Sequence, residues 1–160
     1  MTARIRRVTT TRPGGVSKPP YDRFNLGDHV GDDPAAVAAN RARLASSVGL
    51  PPDRVVWMNQ VHSDRVAVVD GPSGDPVDSV DALVTRTERL ALAVVTADCV
   101  PVLLSDARAG VIGAAHAGRV GAADGVVLRT LEAMLGLGAQ LADVSALLGP
   151  AVSGPNYEVP

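Results

Sequence analysis

The fold turns on residues 90–118, "LALAVVTADCVPVLLSDARAGVIGAAHAG". Three apolar runs follow one another here: "LALAVVTA" (90–97), "VPVLLSD" (100–106) and "GVIGAAH" (110–116). Their apolar residues are continuous rather than alternating, which predicts strands covered on both faces. Between the first two runs lies Cys99, the chain's only cysteine. Thr96-Ala97-Asp98 before it and Pro101 after it mark a break in the greasy pattern. A thiol so placed is either an inert piece of core or a sulfur presented for chemistry.

Upstream, "RVVWM" (54–58) and "RVAVV" (65–69) read as short strands separated by "NQVHSD". A turn-rich patch, "DGPSGDPVDSV" (70–80), leads into "DALVTR". The clearest helix is "GDDPAAVAANRARLASSVGL" (31–50), which Asp33 caps, Pro34 opens and Gly49 ends. Its expected buried stripe is Val37, Leu44 and Val48. "RIRRVTT" (4–10) alternates well enough for a strand, and a Gly/Pro-rich loop, "TTRPGGVSKPPY", follows. From Arg119 the pattern turns helical, with Val127, Leu131, Met134 and Leu135 on one face and Gly136 as a stop. "VSALLGP" (144–150) reads as a last strand. The layout predicts an α/β fold, an α+β layered sandwich whose mixed sheet core is flanked by helices. With 160 residues and no inter-domain linker, one domain over 1–160 is expected.

Composition narrows the function. Net charge is −2 with acids and bases interspersed, so the basic stripe of a nucleic-acid binder is missing. Aromatic residues make up only 2%, which leaves the core to Val, Leu, Ala and Ile. No apolar run is long enough to cross a bilayer, and the Arg-containing N-terminus lacks the apolar segment of a secretory signal. One cysteine forms no internal disulfide and fits a reducing compartment, so the cytoplasm is expected. No sequence feature selects an oligomeric state.

Three histidines are present, His29, His62 and His116. His62, Cys99 and His116 each fall where a predicted strand gives way to a turn, and strand ends gathered at one sheet edge are where sites are built. Two imidazoles and a thiolate would hold a divalent metal, above all zinc, and leave one position open, as catalytic zinc requires. The alternative is plainer: the gaps between these residues match no short metal motif, and a core histidine or buried cysteine would look the same. "TRPGGVS" (11–17) offers Arg12, two glycines and Ser17 for an anion, or a simple Gly-Pro turn. "AHAGRVGAADG" (115–125) puts Arg119 at a helix start, suited to phosphate or to close helix–strand packing. Asp98 either orients a neighbouring ligand or caps a turn.

Together these segments resemble the laccase-domain or YfiH family, also known as multicopper polyphenol oxidase-like and as purine nucleoside phosphorylase. The resemblance is carried in order by "TRPGGVS" (11–17), "NLGDHVGDD" (25–33), "NQVHSDRV" (59–66), "DALVT" (81–85), "TADCVPVLL" (96–104), "AAHAGRVG" (114–121) and "LGPAVSGPNYEV" (148–159). It implies that His62, Cys99 and His116 hold zinc, or copper, in an α/β layered fold related to cysteine-hydrolase-like toxins. It also implies small-molecule substrates: phosphorolysis of adenosine, inosine and methylthioadenosine, and deamination of adenosine. Arg12, Ser17, Asn25, His29 and Arg119 are then the expected substrate and phosphate residues, with Cys99, His116 and Asp98 catalytic. Other family members are linked to editing of peptidoglycan precursors, which suits a second reading in which Cys99 is a nucleophile and His116 its base. A non-catalytic nucleoside-binding remnant is a third.

The chain departs from the family in three places. Arg119-Val120-Gly121 stands where the family has Trp-Arg-Gly after "HAG". The closing "GPAVSGPNYEV" lacks the family's cysteines, and family domains continue past this point, so the family's C-terminal part is expected to be missing. A multicopper oxidase needs several clustered histidines, and this chain has three in all.

Overall fold

A computed structural model describes residues 2–158. Val159, which closes the last of the resembling segments, lies outside the described residues. The core is a five-stranded mixed sheet built from β2 (Val66–Val68), β3 (Ala82–Thr85), β5 (Val100–Asp106), β6 (Val111–Ala117) and β7 (Val144–Leu148). Its order is β2-β3-β6-β5-β7, with β2 and β3 parallel and the other pairs antiparallel. A separate parallel pair, β1 (Val55–Val56) with β4 (Ala91–Leu92), forms a second small layer. The α-helices among the described residues are α1 (Pro34–Val48), α2 (Arg119–Asp124) and α3 (Val126–Gly136). No described helix is long and apolar enough to cross a membrane.

The continuous apolarity of the middle strands has the expected cause. Val84, Val102, Val111 and Ala115 pack with Val126 and Met134 of α3 on one face of the sheet. Leu83 turns the other way, into a cluster with Val56, Met58, Val80 and Leu90. Every residue of β3 is therefore buried. Behind β1 and β4 sits α1, whose Ala45 packs with Val55 and Trp57. The result is a layered α/β sandwich in which residues of opposite parity along β1 and β3 serve different layers.

α1 ends as its sequence dictates. The Asp33 side chain accepts from the Ala35 N–H, and Gly49 adopts the left-handed conformation at φ 76°. Val37 is buried, but Leu44 and Val48 are only half-buried, and the innermost polar residue of the helix is Asn40.

Four expectations are corrected. Residues 4–10 form no strand; the Arg side chains tie this segment down instead, Arg6 to the Val48 carbonyl and Arg7 to Ser105 and Ser145. With Val8 45% exposed, the segment has no apolar face that a ladder would bury. Of "LALAVVTA", only Ala91–Leu92 is a strand; beyond it the Gln60 amide serves as Val95's partner, accepting from its N–H at 2.9 Å and donating to its carbonyl at 2.8 Å. Cys99 accordingly does not end a strand but sits just before β5 begins. Lastly, the helix from Arg119 is two helices broken at Gly125, φ 96°. Within α3, Val126, Thr130 and Met134 are buried and Val127 and Leu131 half-buried, whereas Leu135 is exposed.

Candidate metal centre

Strand register brings the candidate ligands together. In the β5–β6 hairpin Pro101 stands opposite His116 and Val100 opposite Ala117, which sets Cys99 beside Gly118. In the β3–β6 ladder Ala82 faces Ala115, so Asp81 and His116 are the next pair; the His116 N–H donates to the Asp81 carbonyl at 2.7 Å. His62 arrives on the loop leading to β2, with a left-handed φ of 60°. One ligand atom from each of His62, Cys99 and His116 lies within 4.8 Å of the others. The His62 Nε2 and Cys99 Sγ atoms are 3.9 Å apart. Zinc–sulfur and zinc–nitrogen bonds of about 2.3 and 2.1 Å at a tetrahedral angle put such atoms about 3.6 Å apart, so the residue types and the His62–Cys99 spacing suit the ion. The two imidazoles meet edge to face, their centroids 4.7 Å apart. His116 is buried, Cys99 half-buried and His62 exposed, which leaves the cluster open on one side.

Two glycines of "HAGRVG" make this convergence possible. A Cβ on Gly118 would stand 2.7 Å from His62 Cδ2 and 3.2 Å from Cys99 Sγ. One on Gly121 would stand 2.6 Å from the Ser63 carbonyl oxygen. These glycines let α2 lie against the His62 loop.

The residue that sequence reasoning missed is Asp81. Its carboxylate is fully buried. Oδ1 accepts from the His62 N–H at 2.9 Å and meets His116 Nδ1 at 2.8 Å; Oδ2 accepts from the N–H groups of Val61 and Ser63 and from the Ser63 hydroxyl. Burial pushes the Asp81 carboxyl up, but the bonds from His116, Ser63 and Val61 outweigh it and hold the group below its usual range. An Asp after a turn-rich patch looks like one more turn acid. The available signal was its position directly ahead of a strand buried on both faces.

Burial first, then the charges of Asp98 and Asp81, push the Cys99 thiol above its ordinary value. A cation among these ligands reverses that balance, because a coordinating thiol loses its proton outright. Asp98 is exposed beside Cys99.

Of the expected anion residues, Ser17 and Asn25 meet at Asn40. Asn40 accepts from the Val16 N–H at 2.9 Å and donates to the Ser17 hydroxyl and to the carbonyls of Arg23 and Asn25. Ser17 is thereby buried, and Asn25 donates to Asp32. Arg12 is exposed and donates through Nε to the Asp22 carbonyl, while His29 is exposed beside Asp28. Among the described residues no hydrogen bond or ion pair joins this group to His62, Cys99 or His116. Arg119 alone of the five adjoins the ligand cluster in sequence, exposed at the start of α2.

Comparison with known proteins places these features in context. A family profile described as multi-copper polyphenol oxidoreductase laccase matches residues 6–160. A Mycobacterium tuberculosis protein named purine nucleoside phosphorylase is 73% identical over the whole chain, which spans 64% of that relative's length. A Corynebacterium glutamicum protein of the same name is 60% identical over 158 residues, again 64% of that protein. The chain thus spans a little under two thirds of these relatives. Among solved structures, protein YfiH of Bacillus licheniformis superposes with a TM-score of 0.85 at 32% identity, covering 91% of this chain and 58% of that one. YlmD of Geobacillus stearothermophilus does so with a TM-score of 0.83 at 35% identity, covering 92% and 58%.

Proposed function

Because the chain belongs to the multi-copper polyphenol oxidoreductase laccase family, we propose that it acts as a zinc-dependent purine nucleoside phosphorylase. Its substrates in this proposal are adenosine, inosine or methylthioadenosine with phosphate, and adenosine deamination is a second activity of the same site. The observation that carries the reading is the His62–Cys99–His116 cluster, whose ligand atoms lie within 4.8 Å of one another. The names of the relatives support the substrate class.

His62 Nε2, Cys99 Sγ and His116 Nε2 would hold the metal. Bound there, zinc would supply a Lewis acid and a means of activating water near neutral pH. Asp81 holds His116 through Nδ1, which leaves Nε2 free for the cluster. For phosphorolysis, a phosphate oxygen attacks the ribose anomeric carbon, the glycosidic C–N bond breaks, and the purine leaves with the bonding electron pair. Arg12, Ser17 and Arg119 position the phosphate in this proposal, with Asn25 supporting the loop that carries Ser17. A proton delivered to the departing purine lowers the barrier. Asp98 and His29, both exposed, are the donors assigned to that step.

The test is to incubate purified protein with inosine and phosphate, with and without a chelator. Hypoxanthine release that chelation abolishes is expected; no release in either arm overturns the proposal. Metal analysis is the companion measurement, with about one zinc per chain expected for a three-ligand site and a marked loss in Cys99→Ala. A metal-free protein whose Cys99 reacts readily with thiol reagents would favour the amide-hydrolase alternative.

A further inference from the structure

Asp81 touches both the loop and the strand that supply histidines to the cluster, although it is not itself a ligand. We infer that Asp81 is the positioning residue of the site: one acceptor-only carboxylate sets the tautomer of His116 and locks the backbone that presents His62. This assignment rests on the metal reading of the cluster.

Val61, His62 and Ser63 turn three successive backbone N–H groups toward one carboxylate, at 3.1, 2.9 and 2.7 Å. Consecutive amides aimed at an anion form a nest, and a nest needs a left-handed residue. His62, at φ 60°, is that residue. Such a conformation is strained for a side-chain-bearing residue and persists only where its surroundings enforce it. The same carboxylate meets His116 Nδ1 at 2.8 Å, and the Ser63 hydroxyl donates to it at 2.8 Å.

Five groups therefore converge on two oxygens, and four of them can only donate or are placed to donate. An ionised carboxylate only accepts, so His116 Nδ1 must carry the proton, and in the neutral ring Nε2 then carries the lone pair that a metal requires. An amide at position 81 would place an NH2 against the donors on one side or the other. No flip of that amide avoids the conflict. A carboxylate one methylene longer would not fit a fully buried position already in contact on both oxygens. The chemistry at this point thus selects Asp, and through one side chain it couples a loop residue to a strand residue 54 positions apart (62 and 116).

The test uses the 160-residue protein, with zinc alone as the probe. In metal-free wild type, long-range proton–nitrogen spectra should show His116 protonated at Nδ1 and bare at Nε2. Asp81→Asn should lose that bias and bind zinc about 10–100-fold more weakly, the range for outer-shell partners of a ligand. Ser63→Ala removes one donor from Oδ2 and leaves the His116 contact, so it should keep the wild-type tautomer. Wild-type His116 protonated at Nε2, a folded Asp81→Asn protein with wild-type zinc affinity, or Ser63→Ala losing the tautomer as fully as Asp81→Asn would each overturn the assignment. If Asp81→Asn fails to fold, the wild-type spectrum decides alone. Wild type that binds no zinc overturns the metal reading, and the tautomer still decides Asp81.

Discussion

Gly118 lies so close to His62 that a single added methyl group would stand 2.7 Å from the ring's Cδ2. The same methyl would stand 3.2 Å from Cys99 Sγ and 3.6 Å from His116 Cε1, so all three ligands close around one bare Cα. Gly118→Ala must push at least one of them aside. Zinc affinity is expected to fall at least about tenfold, as for other displacements of ligand geometry. Competition against a chromophoric chelator measures it, and affinity equal to wild type would refute the close-packed ligand arrangement.

Asn40 is the anchor of the loop that carries Arg12, Ser17 and Asn25. Asn40→Ala leaves the Val16 N–H and the Ser17 hydroxyl without their buried partner, at an expected cost of about 3 kcal/mol in unfolding free energy. Faster amide exchange should appear at Val16, while zinc affinity should hold, because no hydrogen bond links the two groups among the described residues. An Asn40→Ala protein as stable as wild type would show that the loop is anchored by other means.

Leu83 tests the layering. It is fully buried among Val56, Met58, Val80 and Leu90, between the large sheet and the β1–β4 pair. Truncation to Ala should cost about 3 kcal/mol, within the range for buried Leu. Denaturant unfolding reads this directly, and a loss below about 1 kcal/mol would mean that the two layers are not packed as described.

Asp106 supplies a pH dependence. Backbone N–H groups of Ala109, Gln140 and Arg108 hold its carboxyl below the ordinary value of 3.8. A depressed carboxyl stabilises the fold fully above its unfolded value, and the contribution is lost as pH falls through the lower folded value. Asp106→Asn should melt lower than wild type at pH 7, and the two curves should converge as pH drops below about 4. A gap that stays constant down to the acid limit would assign the effect to shape rather than charge.

Much of this was readable along the chain. His62, Cys99 and His116 stand out as polar residues at the edges of apolar runs, with a core role as the open alternative until the family resemblance groups them. Asp33, Pro34 and Gly49 bound α1 through local backbone chemistry that needs no tertiary partner. What eluded reading was set at a distance. Residues 4–10 alternate like a strand, yet they pair with neither edge strand of the sheet, and Arg7 instead reaches Ser105 and Ser145. The α3 face was legible only in part: Met134 is buried and Val127 and Leu131 half-buried, but the polar Thr130 takes a fully buried place by donating its hydroxyl to the Val126 carbonyl, which apolar patterning does not reveal.

Sequence alone determined the layered class and the helix boundaries set by Asp33 and Gly49, because each depends on residue type and near neighbours. Only the tertiary structure decided that Asp81 meets His116, and that Ser17 and Asn25 assemble around Asn40. Those contacts come from strand register and layer packing, which bring residues tens of positions apart to within hydrogen-bond reach.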